Sequence, residues 1–340
     1  MLKKSLRTPE DLLNAGWISP EMLPEIQAVS EEFSIALTPA VQASLTQPKD
    51  PVARQYLPDA RELIRQTYER NDPVGDDAHS PVKGLVHRYP DRCLIKISNV
   101  CPVYCRFCFR KTMIGPGSKA LSSEDRRKAI AYIQSHPEIW EVILTGGDPF
   151  ILNPKILAST IQQLSEISQV KIIRIHTRVP ISDPERISEN LLNALKTEKM
   201  LIIAIHANHP QEFSDAAQAS IRKLRLQGIP LVSQSVLLKD INDNAEILAE
   251  LMRKFLENGI KPYYLHHLDP APGTSHFAVS IQKGQELMKE LRGRVSGLCQ
   301  PTYVMDIPGG FGKSPINPSY LSEDLKEITD FRGGCHLLHS

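Results

Sequence analysis

The chain has 340 residues, 41% of them hydrophobic and 23% charged, close to the average of globular domains. Lys+Arg 40 against Asp+Glu 39 leaves a formal charge of +1, so no global electrostatic footprint marks a partner such as nucleic acid or an anionic membrane. A disordered tail, a collagen-like fibre and a coiled coil are excluded as the main structure, and no apolar run approaches the roughly 20 residues of a membrane span.

The start, Met1-Leu2-Lys3-Lys4, has two lysines with no apolar stretch behind them. It does not read as a secretory signal, and the expected compartment is the cytoplasm. Up to about residue 90, helical patterns are broken by Pro39, Pro48, Pro51 and Pro58, and no strand run is convincing. Residues 1–90 are therefore expected to form a helical amino-terminal extension.

From there the pattern changes. Short apolar, β-branched runs stand at 93–97, 141–144, 171–176, 201–206, 231–237 and 262–267. Amphipathic stretches follow them at 122–136, 154–167, 183–196, 211–227, 244–258 and 281–294. Such alternation predicts βαβ units and a parallel sheet, six units making a barrel or part of one over residues 91–297. The runs read as apolar on both faces, as strands covered on both sides should be. The remaining stretch, 298–340, holds a Gly/Pro-rich turn and a tail. In parallel α/β folds, ligands gather at the carboxyl ends of the strands.

The strongest chemical signal lies after the first run: Cys101-Pro-Val-Tyr-Cys105-Arg-Phe-Cys108. The other cysteines, Cys93, Cys299 and Cys335, are scattered. Three thiolates on one loop can hold three irons of a [4Fe–4S] cluster and leave the fourth open to a ligand. A closed zinc site would need a fourth ligand, and the nearest histidine, His87, precedes the loop on the far side of a strand. Thr145-Gly146-Gly147-Asp148-Pro149 follows the second run, where glycines let the backbone approach a ligand closely. Asp306-Ile-Pro-Gly-Gly-Phe-Gly-Lys313-Ser-Pro is not a P-loop. Its lysine can form a Schiff base with a cofactor carbonyl, while a solvated surface lysine is an equal reading of the turn alone.

The cysteine spacing resembles the radical S-adenosylmethionine superfamily. The three elements together are similar to the lysine 2,3-aminomutase family, which also uses pyridoxal phosphate. The likeness runs from about residue 30 to 320 and includes Ser80-Pro-Val-Lys-Gly-Leu-Val-His87-Arg88-Tyr-Pro-Asp-Arg92, Asn208-His-Pro and Gln234-Ser-Val-Leu-Leu. The resemblance implies a radical S-adenosylmethionine partial (βα)6 barrel. It implies that Cys101, Cys105 and Cys108 hold the cluster, and that Gly146, Gly147 and Asp148 meet S-adenosylmethionine. Lys313 becomes the pyridoxal phosphate lysine, with Arg88 and Arg92 for its phosphate and His206 and Gln234 as further cofactor contacts. Arg110 would pair with the substrate carboxylate, where a planar fork suits a planar anion. Asp269 and Asp306 would hold the substrate's ε-ammonium, which is costly to bury without partners.

The implied activity is that of an isomerase. A 5′-deoxyadenosyl radical takes hydrogen from Cβ of lysine, nitrogen migrates from C2 to C3, and hydrogen returns. Implied partners are the amino-acid substrate, an electron donor such as flavodoxin or ferredoxin, and a second copy in a homo-oligomer. The loop 239–244 lacks a cysteine that long clostridial members use for structural zinc, so no zinc is expected and the tetramer of those members is not carried over. The short form resembles the branch that makes β-lysine for elongation factor P. Two other readings stand beside this one. An aminomutase for arginine or glutamate is the first, and retention of both aspartates argues against an anionic side chain. A non-catalytic iron–sulfur protein is the second, and it would need a fourth cluster ligand and no lysine turn.

Overall fold

The computed structural model describes residues 4–115 and 120–338, so the first three residues of the lysine-bearing start lie outside it. Its centre is one sheet of nine strands in chain order: β1 (Leu85–Tyr89), β2 (Arg92–Ser98), β3 (Glu141–Gly146), β4 (Ile172–Thr177), β5 (Met200–His206), β6 (Leu231–Val236), β7 (Ile260–His266), β8 (Thr302–Asp306) and β9 (Lys313–Pro315). Strands β2 to β8 run parallel, each paired with the next, while β1 and β9 are antiparallel edges. All six expected strands are present, and the sheet curls into the partial barrel expected of them. It also reaches beyond them. Thr302–Asp306 adds a seventh parallel strand, and the lysine turn leads straight into an edge strand. Leu85–Tyr89, read as part of the helical extension, is the other edge.

The faces of the strands correct the sequence reading. They are not apolar on both sides. Cys93, Ile95 and Ile97, Val142 and Leu144, Ile173 and Ile175, and Leu201, Ile203 and Ile205 all belong to one core packed under the outer helices. Register puts the alternate residues on the opposite face: Arg92 beside Glu141, Lys96 beside Thr145, His176 beside Ala204, His206 beside Gln234 and Val236 beside His266. The strand period is two, so the inner face carries these polar residues between apolar ones such as Leu94, Ile143 and Ile202. Single polar residues inside short β-branched runs conceal that alternation.

The outer helices start where capping chemistry allows. Ser122 caps Ser123–Gln134, Asn244 caps Ala245–Glu257 and Ser280 caps Ile281–Arg294. The amphipathic stretch at 183–196 is not one helix. Pro184 opens a short 3-10 turn and Ser188 caps a new helix, Glu189–Ala194. The extension has short helices around a second core of Leu12, Ile26, Leu37, Val52 and Tyr56, into which Val103 of the cysteine loop inserts.

Gly284 shows how closely the last long helix packs on β8. A Cβ at this position would fall inside the edge of the buried Tyr303 ring, whose hydroxyl lies 2.8 Å from His267 Nδ1. Mid-helix Gly→Ala normally gains up to about 1 kcal/mol, whereas overpacking costs about 1–3 kcal/mol. Gly284→Ala should therefore lower the midpoint of thermal unfolding, and a raised midpoint would contradict this packing.

Candidate active site

β2 delivers the chain into the cysteine loop, and the amino-terminal extension fixes that loop from outside. The Tyr104 and Arg106 backbone N–H groups donate to Ala36 O (3.1 Å) and Gln55 O (2.8 Å). Arg106, fully buried, forks onto Glu62 through Nε (2.8 Å) and Nη2 (2.5 Å), and Lys111 Nζ reaches the same carboxylate at 2.7 Å. Burial alone would raise the Glu62 pKa, but Arg106 and Lys111 outweigh it and hold the carboxyl below its ordinary value.

Cys101, Cys105 and Cys108 are free thiols, open only in part to solvent. Loss of hydration pushes all three up, and Cys105 adds to the rise of both others, as expected of thiols sharing one pocket. Arg178 Nη1 lies 2.9 Å from Cys105 Sγ. Three unpaired thiols in a sheltered pocket with a cationic donor beside one of them fit a [4Fe–4S] cluster.

The Gly-Gly turn at the end of β3 seats directly on this loop. A Cβ on Gly147 would collide with the backbone of Val100, and one on Gly146 with Ser98 O. Asp148 spends its carboxylate on structure: Oδ1 accepts from Thr177 Oγ1 (2.7 Å) and Phe150 N (3.0 Å), and Oδ2 from Arg178 N (2.7 Å) and Val179 N (3.2 Å). It ties the turn to the end of β4.

The second half of the site surrounds Lys313. Antiparallel pairing sets Lys313 opposite Asp306, and Lys313 Nζ donates to both carboxylate oxygens at 2.7 and 2.6 Å. Lys313 N donates to Tyr89 Oη at 2.6 Å, joining the two edge strands. His266 Nδ1 and Arg88 Nη1 each lie 3.9 Å from Asp306. Burial, and then the charge of Lys313, push His266 well below the ordinary imidazole value. Asp269 is pushed up to about 7, first by burial and then by Asp306, against Lys313 and Arg110. Asp269, Asp306, Lys313 and Arg110 thus share one electrostatic neighbourhood.

The centre of that neighbourhood is a residue the sequence did not reveal. Asp76 accepts from Arg110 Nη2 at 2.7 Å and Arg88 Nη2 at 3.1 Å, and Lys96 Nζ lies 3.6 Å away. Burial would raise its pKa, but these three cations hold it below the ordinary carboxylate value. Glu62 and Glu212 also escaped the motif reading. Both lie in stretches without distinctive spacing, and only long-range contacts give them meaning.

The other expected residues scatter more widely. His206 Nε2 is 3.1 Å from Asn208 Oδ1, its ring is 5.6 Å from Phe107, and burial pushes it down to about 3. Gln234 is its ladder partner. Arg92 opens β2 at the far end of the strand, paired with Asp91 at 2.7 Å and lying 3.7 Å over the Tyr89 ring.

Charge decides what this half of the site fits. Arg88, Lys96, Arg110 and Lys313 face Asp76 and Asp306, with Asp269 in the same neighbourhood, so four cations meet three carboxylates. Among the described residues, Arg88 Nε and Arg110 Nε are buried without a hydrogen-bond partner. A site short of anions beside an amine nucleophile fits a phosphate-bearing carbonyl cofactor and a carboxylate substrate.

Glu62→Gln would leave Arg106 and Lys111 buried without a counter-charge, a loss of about 3–5 kcal/mol when one partner of a buried pair is removed. The variant should unfold at lower temperature and bind less iron after anaerobic reconstitution. Unchanged iron content and stability would show that the clamp does not hold the loop.

Residues 95–268 match the Radical SAM superfamily, and residues 288–332 match the segment described as Lysine-2,3-aminomutase. The chain is 39% identical over 322 residues to an L-lysine 2,3-aminomutase of Methanococcus maripaludis, covering 94% of this chain and 74% of that protein. An L-lysine 2,3-aminomutase of Clostridium subterminale is 36% identical over 337 residues, covering 98% and 81%. A glutamate 2,3-aminomutase of Clostridioides difficile is 36% identical over 299 residues, covering 87% and 70%.

Proposed function

The chain belongs to the lysine 2,3-aminomutase family of radical S-adenosylmethionine enzymes, and on that premise we propose that it interconverts α-lysine and β-lysine by moving an amino group between C2 and C3. The observation that carries the choice of lysine is the pair Asp269 and Asp306 in one neighbourhood with Lys313 and Arg110. A third carboxylate brought beside this pair, as glutamate would bring, meets like charges in a desolvated site. An ammonium meets partners.

Cys101, Cys105 and Cys108 would hold the cluster, the turn at Gly146 and Gly147 would take the amino-acid end of S-adenosylmethionine, and Lys313 would hold pyridoxal phosphate. When bound, these groups supply a 5′-deoxyadenosyl radical and a π-system able to carry the migrating nitrogen. The chain's own residues do the rest. Asp148 keeps the turn seated on the cysteine loop through its hydrogen bonds to the end of β4. Arg110, held at one corner by Asp76, offers the remainder of its fork to the substrate carboxylate. Arg88 has a buried, unpartnered Nε for an anion. His206 and Gln234 would line the wall toward the cofactor, whereas Arg92 opens β2 at its far end and is paired with Asp91. Asp306 already holds a cation, Lys313 Nζ, and a substrate ammonium offers the same charge to the same carboxylate.

Among the described residues no helix is long and apolar enough to cross a membrane, and we place the reaction in the cytoplasm, where flavodoxin- or ferredoxin-type carriers supply single electrons. The test is an anaerobic assay of reconstituted protein with S-adenosylmethionine, pyridoxal phosphate, a reductant and a panel of amino acids. β-Lysine should be the main product, and turnover of glutamate or arginine in its place would overturn the reading.

Two further outcomes follow. Asp306→Asn should lower kcat/KM for lysine by about 10²- to 10³-fold or more, since losing one partner of a buried pair costs about 3–5 kcal/mol. An uncharged analogue of similar length should suffer far less. Asp269 must be ionised to hold an ammonium, and its carboxyl is pushed up to about 7. The kcat/KM for lysine should therefore rise with pH through about 7 and flatten above it. Asp269→Asn should abolish that limb; a limb unchanged in the variant would assign the titration to another group.

A further inference from the structure

Arg178 leaves the end of β4 and lies beneath the cysteine loop. It is 6% exposed, and its guanidinium is held through both terminal nitrogens, while Nε is buried without a hydrogen-bond partner among the described residues. Nη1 donates to Cys105 Sγ at 2.9 Å. Nη2 donates to Glu212 Oε2 at 2.5 Å and Gln55 Oε1 at 2.6 Å. The Tyr56 and Phe107 rings cover it at 4.9 and 5.2 Å. Glu212 is fixed in turn, its Oε1 accepting from Asn208 N (2.7 Å), His209 N (3.0 Å) and Gln55 Nε2 (3.2 Å). The guanidinium cannot swing away, and it points one donor at a single cysteine sulfur.

We propose that Arg178 is the built-in counter-cation of the iron–sulfur cluster, a positioning residue that acts through Cys105 Sγ to make the cluster easier to reduce. The inference rests on the reading of the three cysteines as cluster ligands. A [4Fe–4S] core of charge 2+ held by three thiolates carries one net negative charge. Taking one electron from a low-potential donor lowers the core to 1+ and brings the net charge to two negative. Part of that added charge resides on the thiolate sulfurs, and a cation hydrogen-bonded to one of them stabilises the reduced state more than the oxidised one. The effect is strengthened because Arg178 is buried and the contact is largely sheltered from water, which screens it little. Glu212 opposes it, but its carboxylate binds Nη2, while Nη1 is the nitrogen that meets the sulfur. The cation is therefore the nearer charge and dominates.

The geometry also separates this role from holding the S-adenosylmethionine turn. The bond to Asp148 comes from the Arg178 backbone N–H at 2.7 Å, which any side-chain variant keeps. Replacing the side chain removes the counter-cation and leaves the turn tied to β4.

The test is a redox titration of the anaerobically reconstituted full chain, without substrate, following the reduced cluster by electron paramagnetic resonance. Iron per chain is measured in parallel. Arg178→Gln should move the midpoint negative, so that at the parent's midpoint the ratio of reduced to oxidised cluster falls about tenfold or more, about 59 mV for one electron. Arg178→Lys keeps the charge and should recover most of that loss. Glu212→Gln removes the opposing carboxylate and should move the midpoint the other way. The double variant Arg178→Gln/Glu212→Gln leaves no unpaired buried charge and should load iron as the parent does, with a midpoint between those of the two single variants. If Arg178→Gln does not fold, the positive shift of Glu212→Gln and a double variant lying below it still decide. Opposite signs for the two singles support the proposal, because a merely structural role would change iron content and leave the potential of the remaining clusters unmoved. Full iron content with an unmoved midpoint in the Arg178 variants, single or double, would overturn it. A parent chain that loads no cluster at all would instead overturn the reading of the cysteines.

Discussion

A single buried carboxylate, Glu62, holds two cations of the cysteine loop, Arg106 and Lys111, and ties that loop to the amino-terminal segment. The constraint behind it recurs through the molecule. A charge taken out of water is tolerable only where a partner and enough hydrogen bonds replace the water. The loop is anchored to the extension both by this clamp and by Val103, which is buried in the extension's core. The carbonyls of Ala36 and Gln55 and the carboxylate of Glu62 reach the loop from that segment.

The same rule read in reverse explains the lumen. Around Lys313 the chain gathers more cations than anions and leaves guanidinium nitrogens without partners. Natural cores avoid this arrangement, and it persists where ligands complete the account. Asp76 shows the compromise: one carboxylate holds Arg88, Arg110 and Lys96 together, enough to keep three like charges in one place but too little to neutralise them. Asp269 and Asp306 share that neighbourhood, and Arg88 reaches both Asp76 and Asp306.

Much of this was legible in the chain. The six βα units, the three cysteines and the lysine turn each carry a pattern set by local chemistry: strand length, ligand spacing, a glycine-rich approach. The polarity of the inner face was less so, because Lys96, His176 and His266 interrupt apolar runs singly, and only register shows that they share a side. Thr302–Asp306 escaped as a strand because a cysteine-bearing turn and a proline precede it. Asp76 and Glu62 were invisible for a different reason. Each gains its role from a partner more than ten residues away, and an acidic residue in a loop has no spacing that announces a buried counter-charge. The helix expected at 183–196 failed on Pro184, which starts a turn but cannot continue the preceding one.

The position of Lys313 follows from the same economy of contacts. A reactive lysine on a free loop would bring its amine to the site with wide scatter. Here the residue lies on an edge strand, directly across the ladder from Asp306, so the amine and the carboxylate are cross-strand neighbours with little freedom between them. The opposite edge of the sheet then fixes the backbone, since Tyr89 Oη accepts the Lys313 N–H. One hydroxyl thus closes the gap between the first strand and the last at the point where the nucleophile stands. Arg88, one residue before Tyr89, reaches toward the same Asp306. The edge strand that holds the lysine backbone therefore also carries an arginine toward Asp306. The lysine gains its order from the sheet that its own strand completes.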